Sequence, residues 1–412
     1  MKLRDIKAEF AKYIVCKDEW ALDMVMATLI GNSVLNSDPL WTMIIGPSSG
    51  GKTTLIAPAC SLSNVHFIDD LTEKTLLSGF KVKGQEVSLL NRIGKTGIMA
   101  FSDFTTILMK NPNSKGEILT QLKMVYDGKF TKFTGTGGMM WEGKIGLIAA
   151  STPDIYAHLE AGRSMGERFL YYWLDQPTDE EVAKKQQETN MSSKDITKAM
   201  QGMYLQYCQE VATFIREKGL PTFSLTEDQK KRVRDAAIFC VNGKATVHTD
   251  FKSGKVDQIP NKAGVGRDNK TFDVLLHALQ VMDAFEYDDW SRPISEDRIR
   301  LVDKCAYSSI NRERRKIMEV LIAQPKAITP TEIGTAKGLG MEKDSVEKYL
   351  VPLHAVGMIR KQINSGAHKW YIDDPKTIDF ITRVSPSVKD EEIIKAQDFM
   401  EADDSQGFYS GY

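Results

Sequence analysis

Five short, nearly uninterrupted apolar runs mark the first 176 residues, at 41–45, 65–68, 97–101, 144–149 and 169–174. Runs that are apolar at every position, rather than at alternate ones, fit strands covered on both faces. Helical spacing fills the segments between them, so the pattern predicts an α/β fold around a mainly parallel sheet. Ahead of it, Ala21, Met24, Val25, Thr28 and Leu29 recur at helical spacing, and residues 1–38 read as one or two helices. Residues 177–310 are mainly helical, with an alternating stretch over 244–259 that predicts a hairpin. Residues 311–372 form a separate unit, and 373–412 are an acidic tail whose composition favours partial disorder. The expected division is 1–38, 39–176, 177–310, 311–372 and 373–412.

A length of 412 residues allows two or three domains, and 42% hydrophobic with 26% charged residues is ordinary for a globular chain. The net charge of −1 hides local bias, so charge informs only region by region. Cysteines at 16, 60, 208, 240 and 305 form no C-x-x-C pair. Neither a disulfide framework nor a zinc ribbon is encoded, which fits a reducing cytoplasm. No run nears the ~20 apolar residues that span a bilayer, so a soluble chain without a membrane partner is expected.

The chemistry concentrates after the first run, in "GPSSGGKTT": Gly46, Pro47, Ser48, Ser49, Gly50, Gly51, Lys52, Thr53 and Thr54. The spacing is G-x-x-x-x-G-K-T. Glycines let the backbone curl so that successive N–H groups point at phosphates. Lys52 would reach the β- and γ-phosphates, and the Thr53 hydroxyl would ligate Mg²⁺ at a helix N-terminus. The third run leads to Asp103, a carboxylate placed to hold the same ion's hydration shell. The fourth ends in Ser151 and Thr152, whose hydroxyls suit contact with a γ-phosphate or attacking water. They equally suit capping of the next helix, with Pro153 in its first turn. Arg168 precedes the fifth run. Arginine stabilises charge on a transferring phosphoryl group, and it also makes ordinary salt bridges.

These four elements, in this order and spacing, resemble the AAA+ ATPases. More narrowly, "DFTTIL", "VYDGKFTKFTGTGG", "GKIGLIAAST" and "GERFLYYWL" resemble ATPases of phages and mobile elements. The resemblance spans roughly residues 1–372. It implies an ASCE-type P-loop core with a helical lid region, ATP and Mg²⁺ as cofactors, and a homo-oligomeric ring, usually a hexamer. Arg168 would be the arginine finger, and Arg267, in "VGRDNKTFDVLLHAL", loosely matches sensor 2. Two positions depart from the family pattern. Phe104 stands where a water-activating glutamate follows the Walker B aspartate, leaving Asp69 or Asp70 as candidate bases. Ser151 or Thr152 stands where sensor 1 is usually asparagine.

Between Asp103 and the fourth run, "KFTKFTG", a glycine-rich turn and a second alternating segment predict a β-hairpin. A hairpin inserted there resembles the clade containing the MCM and superfamily-3 helicases, where it grips DNA. That implies phosphate contacts from Lys129, Lys132 and Lys144, with Phe130, Phe133 or Trp141 as stacking groups. A hairpin that packs its aromatics into its own subunit is the structural alternative. Within 311–372, Thr329, Pro330 and Glu332 spell a capping box with proline at N1, followed by a third helix and an alternating pair around Asn-Ser-Gly. This resembles a winged helix-turn-helix, with Pro352 expected to kink its third helix. Eleven Lys and Arg against six Asp and Glu give this unit a net charge of +5. Lys343, Ser345 and Lys348 on the recognition helix and Arg360, Lys361 and Lys369 on the wing are its candidate DNA contacts.

Two functions are expected from these features. One is an ATP-driven translocase or helicase on single-stranded or forked DNA in phage or mobile-element replication. The other is a loader, initiator or regulator that uses ATP as a switch, a reading favoured by Phe104. The acidic tail would dock a replication partner. A small-molecule kinase leaves the winged helix unexplained, and no N-K-x-D motif supports a GTPase.

Overall fold

The structure is a computed structural model that describes residues 1–385, apart from 49, 79–80, 83–84, 87, 135–136, 162–167, 190, 249, 251–255, 337 and 365–366. Ser49 of the phosphate loop and the acidic tail from 386 therefore lie outside the described residues.

All five apolar runs are strands: β1 (Trp41–Ile45), β2 (Val65–Phe67), β3 (Thr96–Phe101), β4 (Lys144–Ser151) and β5 (Leu170–Trp173). They pair in parallel throughout, in the spatial order β2-β3-β4-β1-β5. The chain leaves β1 for the far edge at β2, fills inward to β4, then crosses β1 to add β5. β1 thus sits where the winding direction changes, and in open α/β sheets the crevice beyond the strand ends at such a point is the favoured ligand site. Register brings the candidate chemistry level. Ile45 is opposite Ser151 and Phe101 opposite Ala149, so Asp103, two residues past the end of β3, is level with Ser151.

Aromatic contacts fill one side of the sheet. Phe101, Phe104, Phe169, Trp41 and Tyr126 form a chain of edge or tilted contacts, with ring centroids 5.2–5.5 Å apart. Such geometries add to the stabilisation from burial itself.

The chain forms two compact units, one of Met1–Glu227 with Asn269–Leu301, the other of Asp228–Asp268 with the residues from Val302. The helical stretch expected as one region over 177–310 contributes to both. In the first unit the N-terminal helices are Leu3–Tyr13 and Ala21–Val34. Arg298 clamps Asp283 and donates to Asp23, which Lys7 also pairs, so a buried charge is answered by opposite charges.

In the second unit the helices Arg312–Ile322, Pro330–Thr335 and Lys343–Ala355 precede an antiparallel pair, Arg360–Asn364 with Ala367–Tyr371. The capping box forms as expected, with the Thr329 hydroxyl accepting from Glu332 N–H and Thr329 N–H donating to the Glu332 carboxylate. The third helix runs through Pro352 to Ala355. Only its last turn follows the proline, so little helix depends on the missing N–H. Of the hairpin expected over 244–259, Thr246 forms an antiparallel bridge with Asn261, and 249 and 251–255 lie outside the described residues. Among the described residues no helix is long and apolar enough to cross a membrane.

Candidate functional site

The turn between β1 and the short helix Lys52–Ile56 is built as a phosphate cradle requires. Gly51 caps the helix at φ +80°, a conformation that penalises any side chain. Lys52 is buried, and its ammonium donates to the carbonyls of Gly46 at 2.8 Å and Pro47 at 2.5 Å. Burial pushes its pKa below the ordinary lysine range, while the charge of Asp103 opposes that shift. The cation is thus inside the loop and held by weak carbonyl partners that an anion would outcompete. The Thr53 hydroxyl donates to Ser102 carbonyl oxygen at 3.3 Å, bringing it to the end of β3 beside Asp103. Thr53 and Asp103 therefore fit a shared Mg²⁺. Among the described residues no group of three or more His, Cys, Asp or Glu could hold a metal, so such an ion would depend on phosphate and water for its other ligands.

Position 104, where the resemblance would place a glutamate, is a core position. The Phe104 side chain is fully buried between Phe101 and Phe169, and its N–H bonds to Ala150 carbonyl oxygen. Position 104 points into the aromatic core rather than toward the strand ends. The polar neighbour is Thr105, missed in the sequence. Its N–H caps onto the Asp103 carboxylate at 2.9 Å, and its hydroxyl lies 3.2 Å from that of Ser151. Ser151 is consequently buried and spent on this contact and on Thr152 carbonyl oxygen. Thr152 is half-buried, with its hydroxyl donating to Asp154 at 3.1 Å. Of the two sensor candidates, Thr152 is the more accessible. Asp70 pairs with Lys110 at 2.8 Å, while Asp69 is exposed after β2.

A cavity of about 600 Å³ opens from the loop, within the range of small-molecule sites. Pro47, Ser48, Gly50, Gly51, Lys52, Thr53 and Thr54 form one end. The rest of the lining is mixed, with apolar Ile14, Val15, Val182 and Ile196 beside polar Asp179 and Lys185. Asp18 holds the N-terminal wall in place by accepting from the Tyr172 hydroxyl and from Asp175 N–H. Further lining comes from the helices Asp179–Thr189 and Ser193–Lys218, the latter anchored by the Tyr204 hydroxyl on Leu55 carbonyl oxygen. Gln176, also unmarked in the sequence, lies along the loop. All these residues belong to the first unit. Arg267, the sensor-2 match, starts the helix Val265–Tyr287 within the second unit and is not among the lining residues.

The expected hairpin forms between Lys129–Thr134 and Gly137–Glu142. Its two faces sort the candidates. Phe130 (2% exposed), Lys132, Met139 and Trp141 share the inward face, whereas Lys129, Phe133 (84% exposed) and Met140 (76%) share the outward one. Phe130 and Trp141 are thus core residues, the latter donating to Gly94 carbonyl oxygen, and Phe133 is the accessible aromatic. Lys132 points back onto Glu73 carbonyl oxygen at 3.1 Å, while Lys129 faces Glu142 across the strands at 3.4 Å. Lys144 lies past the hairpin. Its ammonium is committed to Leu35 carbonyl oxygen at 2.7 Å, and burial lowers its pKa to about 8. Arg168 is also inside the fold, 8% exposed in its side chain, gripping both oxygens of Asp127 at 2.8 and 3.0 Å at the hairpin's base.

In the second unit Lys343 and Lys348 are exposed and Ser345 half-exposed on the third helix. On the strand pair Arg360 joins Asp373 at 3.2 Å, Lys361 lies over the Trp370 ring, and Lys369 is half-exposed. Arg314 and Arg315 are buried, Arg314 on the carbonyls of Gly243 and Ala245, so part of the +5 is structural. Comparison with protein-family models and with curated proteins found no match to this chain.

Proposed function

We propose that this protein is a P-loop ATPase of the AAA+ type that works on DNA, most simply as a ring-forming translocase or helicase. The observation that carries the reading is the convergence at the ends of β1, β3 and β4. A buried lysine inside a glycine loop, the Thr53 hydroxyl and the Asp103 carboxylate come together at the sheet's switch point, with Lys52 and Thr53 lining a cavity of nucleotide size and Thr152 following the end of β4. Lys52 would exchange loop carbonyls for β- and γ-phosphate oxygens, and loop N–H groups would orient them. Mg²⁺ held by Thr53 and Asp103 would supply charge neutralisation for the transferring phosphoryl group. DNA contact is supported by the exposed face of the first hairpin, with Lys129 and Phe133, and by Lys343, Ser345, Lys348, Arg360, Lys361 and Lys369 of a winged-helix-like second unit. In a hexamer, a trans role for Arg168 requires it to exchange Asp127 for a neighbour's phosphate.

A second reading, an ATP-dependent loader, initiator or regulator, is favoured by one observation. Position 104 is core, so no carboxylate follows Asp103 at the strand end. The deciding experiment is ATP hydrolysis with and without single-stranded DNA, beside unwinding of a forked duplex, for the wild type and Lys52→Ala. DNA-stimulated turnover with strand separation, both lost in Lys52→Ala, supports the motor. Tight ATP binding with negligible turnover supports the switch. No nucleotide binding by the wild type refutes both.

A further inference from the structure

Gly50 is the glycine that the loop's spacing does not demand. The G-x-x-x-x-G-K-T pattern assigns Gly46 and Gly51, and positive φ is found at Gly51, not at Gly50. What Gly50 provides is room. A Cβ there would sit 2.5 Å from Gln176 Oε1 and 3.0 Å from Pro47 carbonyl oxygen, and one on Gly46 would lie 3.1 Å from Gln176 Nε2. The carboxamide of Gln176 therefore lies flat along the loop, from its first residue to the turn before Gly51.

The side chain is held there by the three residues that follow β5. Leu174 N–H bonds to Ile45 carbonyl oxygen, Asp175 N–H to the buried Asp18, and Gln176 Nε2 donates to Leu174 carbonyl oxygen at 2.9 Å. Gln176 also lines the cavity shared by Lys52 and Thr53.

We propose that Gln176 is a positioning residue for the phosphate loop and borders the phosphate subsite, and that Gly50 is glycine in order to admit it. The inference rests on the phosphate-site reading and extends it to a strand, β5, whose end had no assigned role. A neutral amide packed against Gly46 and Gly50 supports the loop backbone before the ligand arrives, and such pre-organisation appears as affinity. Because the group is uncharged, it adds no repulsion to an approaching triphosphate. An isosteric carboxylate in the same place adds a negative charge beside that triphosphate.

The test is titration of the full-length protein with a fluorescent ATP analogue in Mg²⁺, together with steady-state ATPase and a melting curve without nucleotide. Gln176→Ala is expected to weaken binding about fivefold, the equivalent of one ordinary hydrogen bond, with the loss appearing in KM. Gln176→Glu should bind more weakly than Gln176→Ala, and its deficit should be larger for the triphosphate than for the diphosphate. Gly50→Ala should cost more affinity in the wild type than in the Gln176→Ala background, where the new methyl meets only the Pro47 carbonyl oxygen. Wild-type affinity in both Gln176 variants, or an equal cost of Gly50→Ala in both backgrounds, overturns the inference while leaving the phosphate site standing. If the wild type itself binds no analogue, the phosphate-site reading and this inference fall together.

Discussion

Two phenylalanines three residues apart in the first hairpin should respond in opposite ways to truncation. Phe130 is 2% exposed and lies across the strands from Trp141 on the inward face. Phe130→Ala removes a packed ring from the core and should cost about 3–5 kcal/mol. Phe133 is 84% exposed, with its ring folded over Gly138, so a Cβ on that glycine would sit 2.9 Å from the ring. Phe133→Ala gives up little buried surface and should cost under ~0.5 kcal/mol. If Phe133 stacks on a base, its loss should cost about 1–3 kcal/mol of binding, a drop of roughly fivefold to a hundredfold in single-stranded DNA affinity. Denaturant midpoints measured side by side give the first contrast, and fluorescence anisotropy with a labelled oligonucleotide gives the second. Wild-type DNA affinity in a normally folded Phe133→Ala would refute the stacking role. A Phe130→Ala variant as stable as the wild type would refute the assignment of the two faces.

The two hairpin lysines should divide similarly. Lys129→Ala is expected to lower DNA affinity and reduce its salt dependence, whereas Lys132→Ala should mainly destabilise the segment held through Glu73, and binding isotherms over a salt series separate them. Phe104→Glu should not install a catalytic base. It buries a carboxylate between Phe101 and Phe169, so a lowered melting temperature with no gain in ATPase is expected, and faster turnover would refute the placement. Lys144 predicts a pH trend. Its folded pKa, about 8, lies below the ordinary lysine value, so between those two pH values the unfolded chain binds more protons and stability rises with pH. Melting temperatures from pH 8 to about 10 should therefore climb more steeply in the wild type than in Lys144→Met. Parallel slopes would show that Lys144 is not buried.

What the sequence determined by itself was whatever is written in short stretches. The five strands could be read because a strand covered on both faces is apolar at every position. The glycine loop, the Thr329–Glu332 capping box and the first hairpin could be read because each is a contact between residues a few positions apart. Alternation revealed two hairpin faces but could not tell which one is buried, since that depends on what packs beneath, here Gly94 and Glu73. Tertiary structure alone decided the strand order that brings Asp103 level with Ser151, the core position of Phe104, and the commitment of Lys144 to Leu35 and of Arg168 to Asp127. It also laid Gln176 along a loop 126 residues earlier in the chain (176 − 50). A lysine or glutamine carries the same local pattern whether it faces water or a distant carbonyl. Burial and pairing are set by residues far apart in sequence, and those contacts exist only once the sheet has formed.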